Sequence, residues 1–322
     1  MFRRLINTTA KAFFPARNMS TSPSGPLLKP CKLALIQLKT GSDKSANLTR
    51  ACEKVALAAK AGADIVVLPE CFNSPYGTEH FPKYAEPLPS LEKPTPPDES
   101  EAPSYHRLSA LSKEHNIHLV AGSIPELEPS TKKLYNTSLI FSPAGTLLGK
   151  HRKVHLFDID IPGKIRFKES EVLTGGSEPT LVDTPFGKFG VGICYDVRFP
   201  ELAMIAARRG AFAMIYPGAF NMTTGPLHWE LLARARAVDN QVWVAMCSPA
   251  RDLEGTGYVA FGESMVVDPN GLVVKKAGAE EDMVVVDLAP EKVVEVRSGI
   301  PVTTQRRFDV YPDVSGVAGS SA

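Results

Sequence analysis

The sequence predicts a layered α/β fold, and three observations carry that prediction. Residues 32–38 form an alternating, β-rich stretch, residues 43–61 a capped amphipathic helix, and residues 65–68 a short apolar strand. This strand–helix–strand order opens a layered α/β fold. Second, the strand Ile65 to Leu68 is apolar throughout, the pattern of a sheet covered on one face and packed on the other. Third, three strands end in similar punctuation: Leu68-Pro69-Glu70, Ile193-Cys194-Tyr195 and Tyr216-Pro217-Gly218. In open α/β sheets, sites form beyond the strand ends, so one shared cleft is expected there.

The elements follow in order. Ser42 or Asp43 can cap the first helix, which places Leu48, Ala51, Val55 and Ala58 on one face and stops at Gly62. Residues 87–103, rich in Pro, Ser and Glu, read as a surface loop. Residues 105–115 are expected to be helical, 118–124 and 134–142 to be strands, and 146–151 to pair back after the turn at Pro143-Ala144-Gly145. From Val154 to Gly176 the chain loses its periodicity, and a loop of that length inside a compact domain is usually functional. Residues 189–193 then form a buried strand ending at Cys194, followed by a helix from Pro200 to Arg209. A strand over 212–216, a helix over 228–240 and a strand over 241–247 continue the alternation. The turn Pro269-Asn270-Gly271 makes a hairpin of 265–268 and 272–276. A strand over 283–287 and a short helix over 290–296 close the chain.

Composition narrows the function. The chain has 322 residues and a formal net charge of +1, from 36 basic and 35 acidic residues. This balance gives no reason to expect nucleic acid or a membrane surface as partner. The five cysteines (Cys31, Cys52, Cys71, Cys194 and Cys247) are irregularly spaced and include no C-x-x-C pair. That argues for reduced thiols rather than a disulfide framework or a zinc site. No G-x-S-x-G elbow is present, and Gly187, Gly190 and Gly192 do not form a phosphate or dinucleotide loop, so no cofactor is expected. Residues 1–24 carry Arg3, Arg4, Lys11 and Arg17 and no acid, a transit-peptide composition, against the alternative of a basic tail. The expected organisation is a flexible segment over 1–30, one domain over 31–313 and a flexible tail over 314–322, in a mitochondrial or cytoplasmic protein. Met19 offers a second start.

Cys194 is the strongest candidate for chemistry. A strand holds it rigidly, and the neighbouring backbone N–H groups and helix N-terminus favour negative charge on it. The alternative is a small core hydrophobe, but Tyr195-Asp196-Val197-Arg198 turns polar at once. Glu70, ending an apolar strand after Pro69, is either a partly desolvated base or a structural ion-pair acid. Lys153, inside the basic run from Lys150 to His155, is either a solvated strand edge or an ammonium beside the thiol that favours thiolate and stabilises an oxyanion. His151 and His155 are spaced four apart but lack an H-E-x-x-H context, so they do not indicate a metal site.

Three blocks now stand out together: Pro69-Glu70, His151 to Asp158, and Gly192 to Leu202. In this order and at these separations, they resemble the signature blocks of the nitrilase (carbon–nitrogen hydrolase) superfamily over about residues 32–312. The resemblance implies a four-layer α-β-β-α sandwich, with two central mixed sheets covered by helices, and a Glu-Lys-Cys triad. By that resemblance Glu70 is the general base, Lys153 the oxyanion-stabilising lysine, Cys194 the nucleophile, and Glu169 a second glutamate that orients the lysine. Tyr195 is expected to add its backbone N–H to the oxyanion site. A homodimer or larger homo-oligomer is implied as well.

Residues 156–164, 216–232, 236–241 and 248–252 are similar to the omega-amidase branch, whose members hydrolyse the terminal amide of 2-oxoglutaramate and 2-oxosuccinamate. One departure is Phe261-Gly262-Glu263-Ser264, where Gly-His-Ser is expected. The nearest rival is the deaminated-glutathione amidase branch; a binding protein that kept the fold without the chemistry is a second. A dicarboxylic amide needs donors for its distal carboxylate, and Arg198, Tyr76 and Thr223 are the candidates. For Arg198 the competing reading is an ion pair with Glu201 or Asp196; for Thr223 and Thr224 it is helix capping.

Overall fold

The computed structural model describes residues 26–163, 165–253 and 257–311. The expected leader up to residue 25 and the tail over 314–322 lie outside them. The chain runs β1 (Cys31–Gln37), α1 (Lys44–Lys60), β2 (Ile65–Val67), α2 (Phe81–Tyr84), α3 (Pro103–Glu114), β3 (His118–Val120), β4 (Ile124–Leu127), β5 (Leu134–Phe141) and β6 (Leu147–Arg152). It continues through β7 (Asp158–Ile161), β8 (Ile165–Lys168), β9 (Thr180–Thr184), β10 (Gly187–Val191), α4 (Pro200–Arg208), β11 (Ala211–Pro217), α5 (Gly225–Asn240) and β12 (Trp243–Cys247). The last elements are β13 (Met265–Val267), β14 (Val273–Lys276), β15 (Asp282–Leu288), α6 (Pro290–Gly299) and α7 (Val302–Gln305).

Alternation along the strands explains the layers. In β1, Leu33 and Leu35 face one way and Ala34 and Ile36 the other, and all four are buried. The first pair meets Ala213, Ile215, Trp243 and Ala245 from the second sheet, forming a core between two sheets. The second pair packs under α1 and α3 with Val55, Leu108 and Leu111. The second sheet repeats this: Met214, Tyr216, Val244 and Met246 turn outward beneath α4 and α5, against Ala203, Trp229 and Ala233. Strands buried on both faces need residues that are apolar on both, and the result is an α-β-β-α sandwich.

Each sheet has a parallel centre with antiparallel flanks. In one, β1, β2 and β3 are parallel, β15 pairs antiparallel with β1, and β5 carries β3, β4 and β6. In the other, β10, β11 and β12 are parallel, with β9 and β13 antiparallel outside them. Helices α1, α4 and α5 each make the crossover between neighbouring parallel strands, which is why the strands point the same way. The N-terminal expectation for α1 holds in detail: the Asp43 side chain accepts the Ala46 N–H at 3.1 Å.

Two expectations are corrected, and one strand was not foreseen. Residues 118–124 are not one strand, because Gly122 at φ +55° ends β3 and turns the chain back into β4. The stretch from Val154 to Gly176 is not all loop. Ile159, Ile161, Ile165 and Phe167 alternate across Pro162-Gly163 and form the β7–β8 hairpin, with Ile159 opposite Phe167. Asp158, Asp160, Arg166 and Lys168 interleave with them, which is the alternation of a half-buried hairpin. Strand β9 also escaped notice; its inward residue is Val182, and the rest is half-buried or exposed.

Gly122 sits where the chain must pass close to the end of β2. A Cβ there would lie 2.1 Å from the Pro69 carbonyl oxygen and 2.9 Å from the Leu68 carbonyl carbon, both backbone. Gly122→Ala combines a left-handed backbone with this clash, so it should cost at least about 2 kcal/mol, read as a lower denaturation midpoint. An unchanged midpoint would show that this segment yields easily.

Candidate active site

The strand ends deliver the expected residues to one buried place. Glu70 follows β2, Lys153 follows β6, and Cys194 follows β10 at the start of a short 3-10 turn, Cys194–Arg198. Glu169 opens another such turn after β8. All four side chains are buried.

Lys153 is the centre of the group. Its Nζ lies 3.0 Å from Glu70 Oε1 and 2.9 Å from Glu169. Its backbone is fixed as well: the Lys153 N–H donates to the Asn136 carbonyl, and its carbonyl accepts the Gly176 N–H, both at 2.8 Å. Each carboxylate has further donors. Glu70 Oε1 accepts from Asn136 Nδ2 at 2.9 Å, and Oε2 from the Ala219 N–H at 2.8 Å. Glu169 accepts from the Tyr76 hydroxyl at 2.8 Å and from the Phe157 N–H at 2.7 Å.

The protonation states follow from this packing. Burial works against the Lys153 charge, but Glu169 and Glu70 outweigh it and hold the ammonium well above the usual lysine value. Burial pushes the Glu70 carboxyl up, and Glu169 adds to this, while Lys153 opposes it. The Cys194 thiol is also pushed well above its usual value, by burial first and then by the charge of Glu70, with which it is in hydrogen-bonding reach. The resting cysteine is therefore a thiol beside the Glu70 carboxyl group. Its backbone has φ +48°, a left-handed conformation uncommon for a residue with a side chain. Tyr195 is next in the 3-10 turn, where the first N–H groups have no partner within the helix.

The substrate candidates fall out differently. Arg198 pairs with neither Glu201 nor Asp196. Its Nη1 contacts His228 Nδ1 at 3.2 Å, and its guanidinium lies over the Phe220 ring at 4.8 Å and near Tyr195. Its Nε is buried without a partner among the described residues. Tyr76 lines the site, but its hydroxyl is committed to Glu169, and its ring stacks on Phe167 at 5.6 Å. Thr223 and Thr224 do not cap α5 with their side chains. Asn221 Oδ1 does that work, accepting the Thr223 and Thr224 N–H groups at 3.0 and 2.8 Å. Thr223 is left half-buried. Glu263, at the departure noted above, pairs with Lys276 at 3.1 Å rather than with any residue of this group.

Several contributors escaped the sequence reading. Asn136 had a signal, since Asn136-Thr137-Ser138 is a polar run inside a strand where all three residues are fully buried. Tyr258 is half-buried beside the same site and its hydroxyl donates to the Ala219 carbonyl at 2.5 Å. The Ala219 and Phe157 donors are main-chain groups, which carry no mark in a sequence.

A four-layer sandwich with a cysteine, a lysine and two glutamates gathered at its strand ends defines the nitrilase class of hydrolases. The carbon–nitrogen hydrolase family matches residues 32–298, and the chain belongs to that family. Among its relatives, the omega-amidase NIT3 of Saccharomyces cerevisiae is 55% identical over 297 residues, covering 91% of this chain and 99% of that protein. The omega-amidase NIT2 of Mus musculus is 56% identical over 280 residues, covering 87% of this chain and 96% of that protein. The crystal structure of S. cerevisiae Nit3, a member of branch 10 of the nitrilase superfamily, superposes with a TM-score of 0.80 at 52% identity, covering 89% of this chain and all of that one.

The Tyr76 hydroxyl donates to a buried carboxylate, a bond worth about 1.5–3 kcal/mol when the acceptor is charged. Tyr76→Phe should lower the denaturation free energy by that order, without loss of secondary structure by circular dichroism. A Tyr76→Phe protein as stable as wild type would mean that Glu169 is fully supported by Lys153 and the Phe157 N–H.

Proposed function

We propose that this protein is an omega-amidase: it hydrolyses the terminal amide of small dicarboxylic acid monoamides, such as 2-oxoglutaramate and 2-oxosuccinamate, to the dicarboxylate and ammonia. The observation that carries this reading is the buried cluster in which Lys153 bridges Glu70 and Glu169 while Cys194 lies beside Glu70. The names and identities of the yeast and mouse relatives support the substrate class. The catalytic unit is one domain over residues 31–313.

Cys194 Sγ attacks the amide carbonyl carbon, and its proton passes to Glu70. The carbonyl oxygen gains negative charge, which the Lys153 ammonium and the Tyr195 backbone N–H hold; one such donor is worth about 3–4 kcal/mol in the transition state. Glu70 then gives the proton to the leaving nitrogen, the C–N bond breaks, and ammonia departs. The remaining thioester is hydrolysed by water that Glu70 deprotonates, and Cys194 leaves as the thiol. Splitting the reaction in two replaces one difficult amide hydrolysis with two easier displacements. Glu169 keeps Lys153 in place through its own contact at 2.9 Å.

Arg198 is the group suited to the distal carboxylate. It is a half-buried guanidinium with no carboxylate partner among the described residues and an unpaired Nε. Its aromatic and histidine contacts orient it without neutralising it. Tyr76 supplies wall rather than donor, and Thr223 lies two residues before α5. A homo-oligomer is supported by the apolar stripe Leu227, Leu231 and Val238 on the exposed side of α5, with Leu272 nearby in the turn before β14. The acid-free basic composition of residues 1–24 supports a mitochondrial form beside a cytoplasmic one. No described helix is long and apolar enough to cross a membrane.

A substrate panel read by ammonia release tests the reading. Wild type should favour 2-oxoglutaramate over deaminated glutathione, and Cys194→Ala should release no ammonia while remaining folded. Preference for deaminated glutathione would move the protein to that neighbouring branch, and an active Cys194→Ala would end the mechanism. Arg198→Met should raise KM for the dicarboxylic amide by about 10- to 100-fold, the worth of a charged hydrogen bond, with little change for a neutral amide. Equal effects on both would remove Arg198 from binding.

The raised Glu70 carboxyl gives a pH signature. A base must be ionised, so kcat/KM falls as pH drops through the Glu70 pKa in the free enzyme. Because burial lifts that value, the acid limb should lie above the roughly 4.3 of an unperturbed glutamate. A limb at or below that value would exclude Glu70 as the group being titrated.

A further inference from the structure

His151 and His155 stand two residues before and two after Lys153, and Asp196 stands two after Cys194. The structure joins them. Asp196 Oδ2 accepts the Ile193 N–H at 2.9 Å and meets His151 Nε2 at 3.0 Å. Asp196 Oδ1 accepts the His155 N–H at 2.9 Å and meets His155 Nδ1 at 2.8 Å. The His151 and Asp196 side chains are fully buried. His151 is held from its other side by Thr180 Oγ1 at 3.0 Å, and the His155 ring lies flat on Phe199 at 3.6 Å. These hydrogen bonds keep the Asp196 carboxyl far below the usual carboxylate range in spite of its burial. Each Asp196 oxygen thus receives one backbone donor and one imidazole.

We propose that Asp196 is a positioning residue: with His151 and His155 it clamps the segment bearing Lys153 to the turn bearing Cys194, and so fixes the ammonium relative to the sulfur. The inference rests on the amidase reading of those two residues. Its physical basis is that Lys153 and Cys194 follow strands of different sheets, β6 and β10. Asp196 spans that gap. It grips the chain on both sides of Lys153 and, through Ile193, the residue just ahead of Cys194. Cys194 itself holds an uncommon φ of +48°, and the Asp196 bond to the Ile193 N–H closes the turn that keeps it there. A shift of about 1 Å between reacting groups can cost on the order of 100-fold in rate. Asp196 touches neither substrate nor the reacting atoms in this scheme, so its removal should act on kcat.

The test compares three variants with wild type and Cys194→Ala. Asp196→Asn turns one acceptor into an N–H₂ group that must face a donor on either side. It should lower kcat by about 100-fold while KM stays within about 3-fold. His155→Phe keeps the stacking on Phe199 but loses the donor, and should lower kcat by about 10-fold or more. His155→Asn returns an N–H₂ near the place of Nδ1 and should recover most of that loss, which simple destabilisation would not produce. The His155 pair decides the matter even if Asp196→Asn does not fold. Wild-type kcat in His155→Phe, or an equal loss in His155→Asn, would overturn the clamp while a dead Cys194→Ala leaves the amidase reading standing. Activity in Cys194→Ala would instead overturn that reading and the clamp with it.

Discussion

The buried ammonium of Lys153 between the carboxylates of Glu70 and Glu169 is the interaction on which the site depends. Charged groups in a dry interior are expensive, with an effective penalty of several kcal/mol per ion even after relaxation. The cost is met by saturation. Glu70 receives Lys153, Asn136 and the Ala219 N–H, and Glu169 receives Lys153, Tyr76 and the Phe157 N–H. Removing one member would strand the others, which typically costs 3–5 kcal/mol. A cluster of this kind is a poor way to stabilise a fold, because a well-packed apolar core of the same volume does as well. It is a good way to hold charges still, and that is what chemistry on a neutral amide requires.

The sandwich explains how such distant residues meet. Glu70 and Lys153 follow strands of one sheet, and Cys194 and Ala219 follow strands of the other. The apolar layer between the sheets, from Leu33 and Val67 to Val191 and Ile215, sets the spacing between those strand ends. The polar groups then sit where that layer gives out. The β7–β8 hairpin adds Phe167 against Tyr76 and Tyr258, so an aromatic wall encloses the charged cluster. An enclosed site strengthens each electrostatic contact by excluding water.

Much of this was legible in the sequence, and the reasons are local. The cap at Asp43, the all-apolar run Ile65 to Val67 and the polar break after Ile193 are each written in a few adjacent residues. So were Glu70, Lys153, Cys194 and Glu169, because the resemblance to a family joined them before any contact was known. What stayed hidden is non-local or main-chain. The Ala219 and Phe157 N–H groups carry no residue signature. The partners of Arg198 lie on α5 and in the loop ahead of it, so reading the nearby Glu201 or Asp196 as an ion-pair partner followed proximity in sequence rather than in space. Asp196 was in view throughout, but its histidine partners are more than 40 residues away, and His151 and His155 made sense only once they were seen to converge on it.

The charge balance of the resting site bears on how the first step proceeds. A free thiolate beside Glu70 would place a second negative charge against the first, and burial penalises both, which is why the sulfur stays protonated. Lys153 cannot fully relieve this, since it is already shared between two carboxylates. In the proposed mechanism, transfer of the thiol proton to Glu70 becomes favourable as the sulfur's electrons move onto the carbonyl, because the negative charge then falls on an oxygen that Lys153 and a backbone N–H would hold. On the proposed mechanism the site stabilises the charge distribution of the attack more than that of the resting ions, which is the condition for binding energy to lower a barrier rather than to deepen a ground state. On that proposal, proton transfer and carbon–sulfur bond formation are coupled by charges that the fold gathers before any substrate arrives.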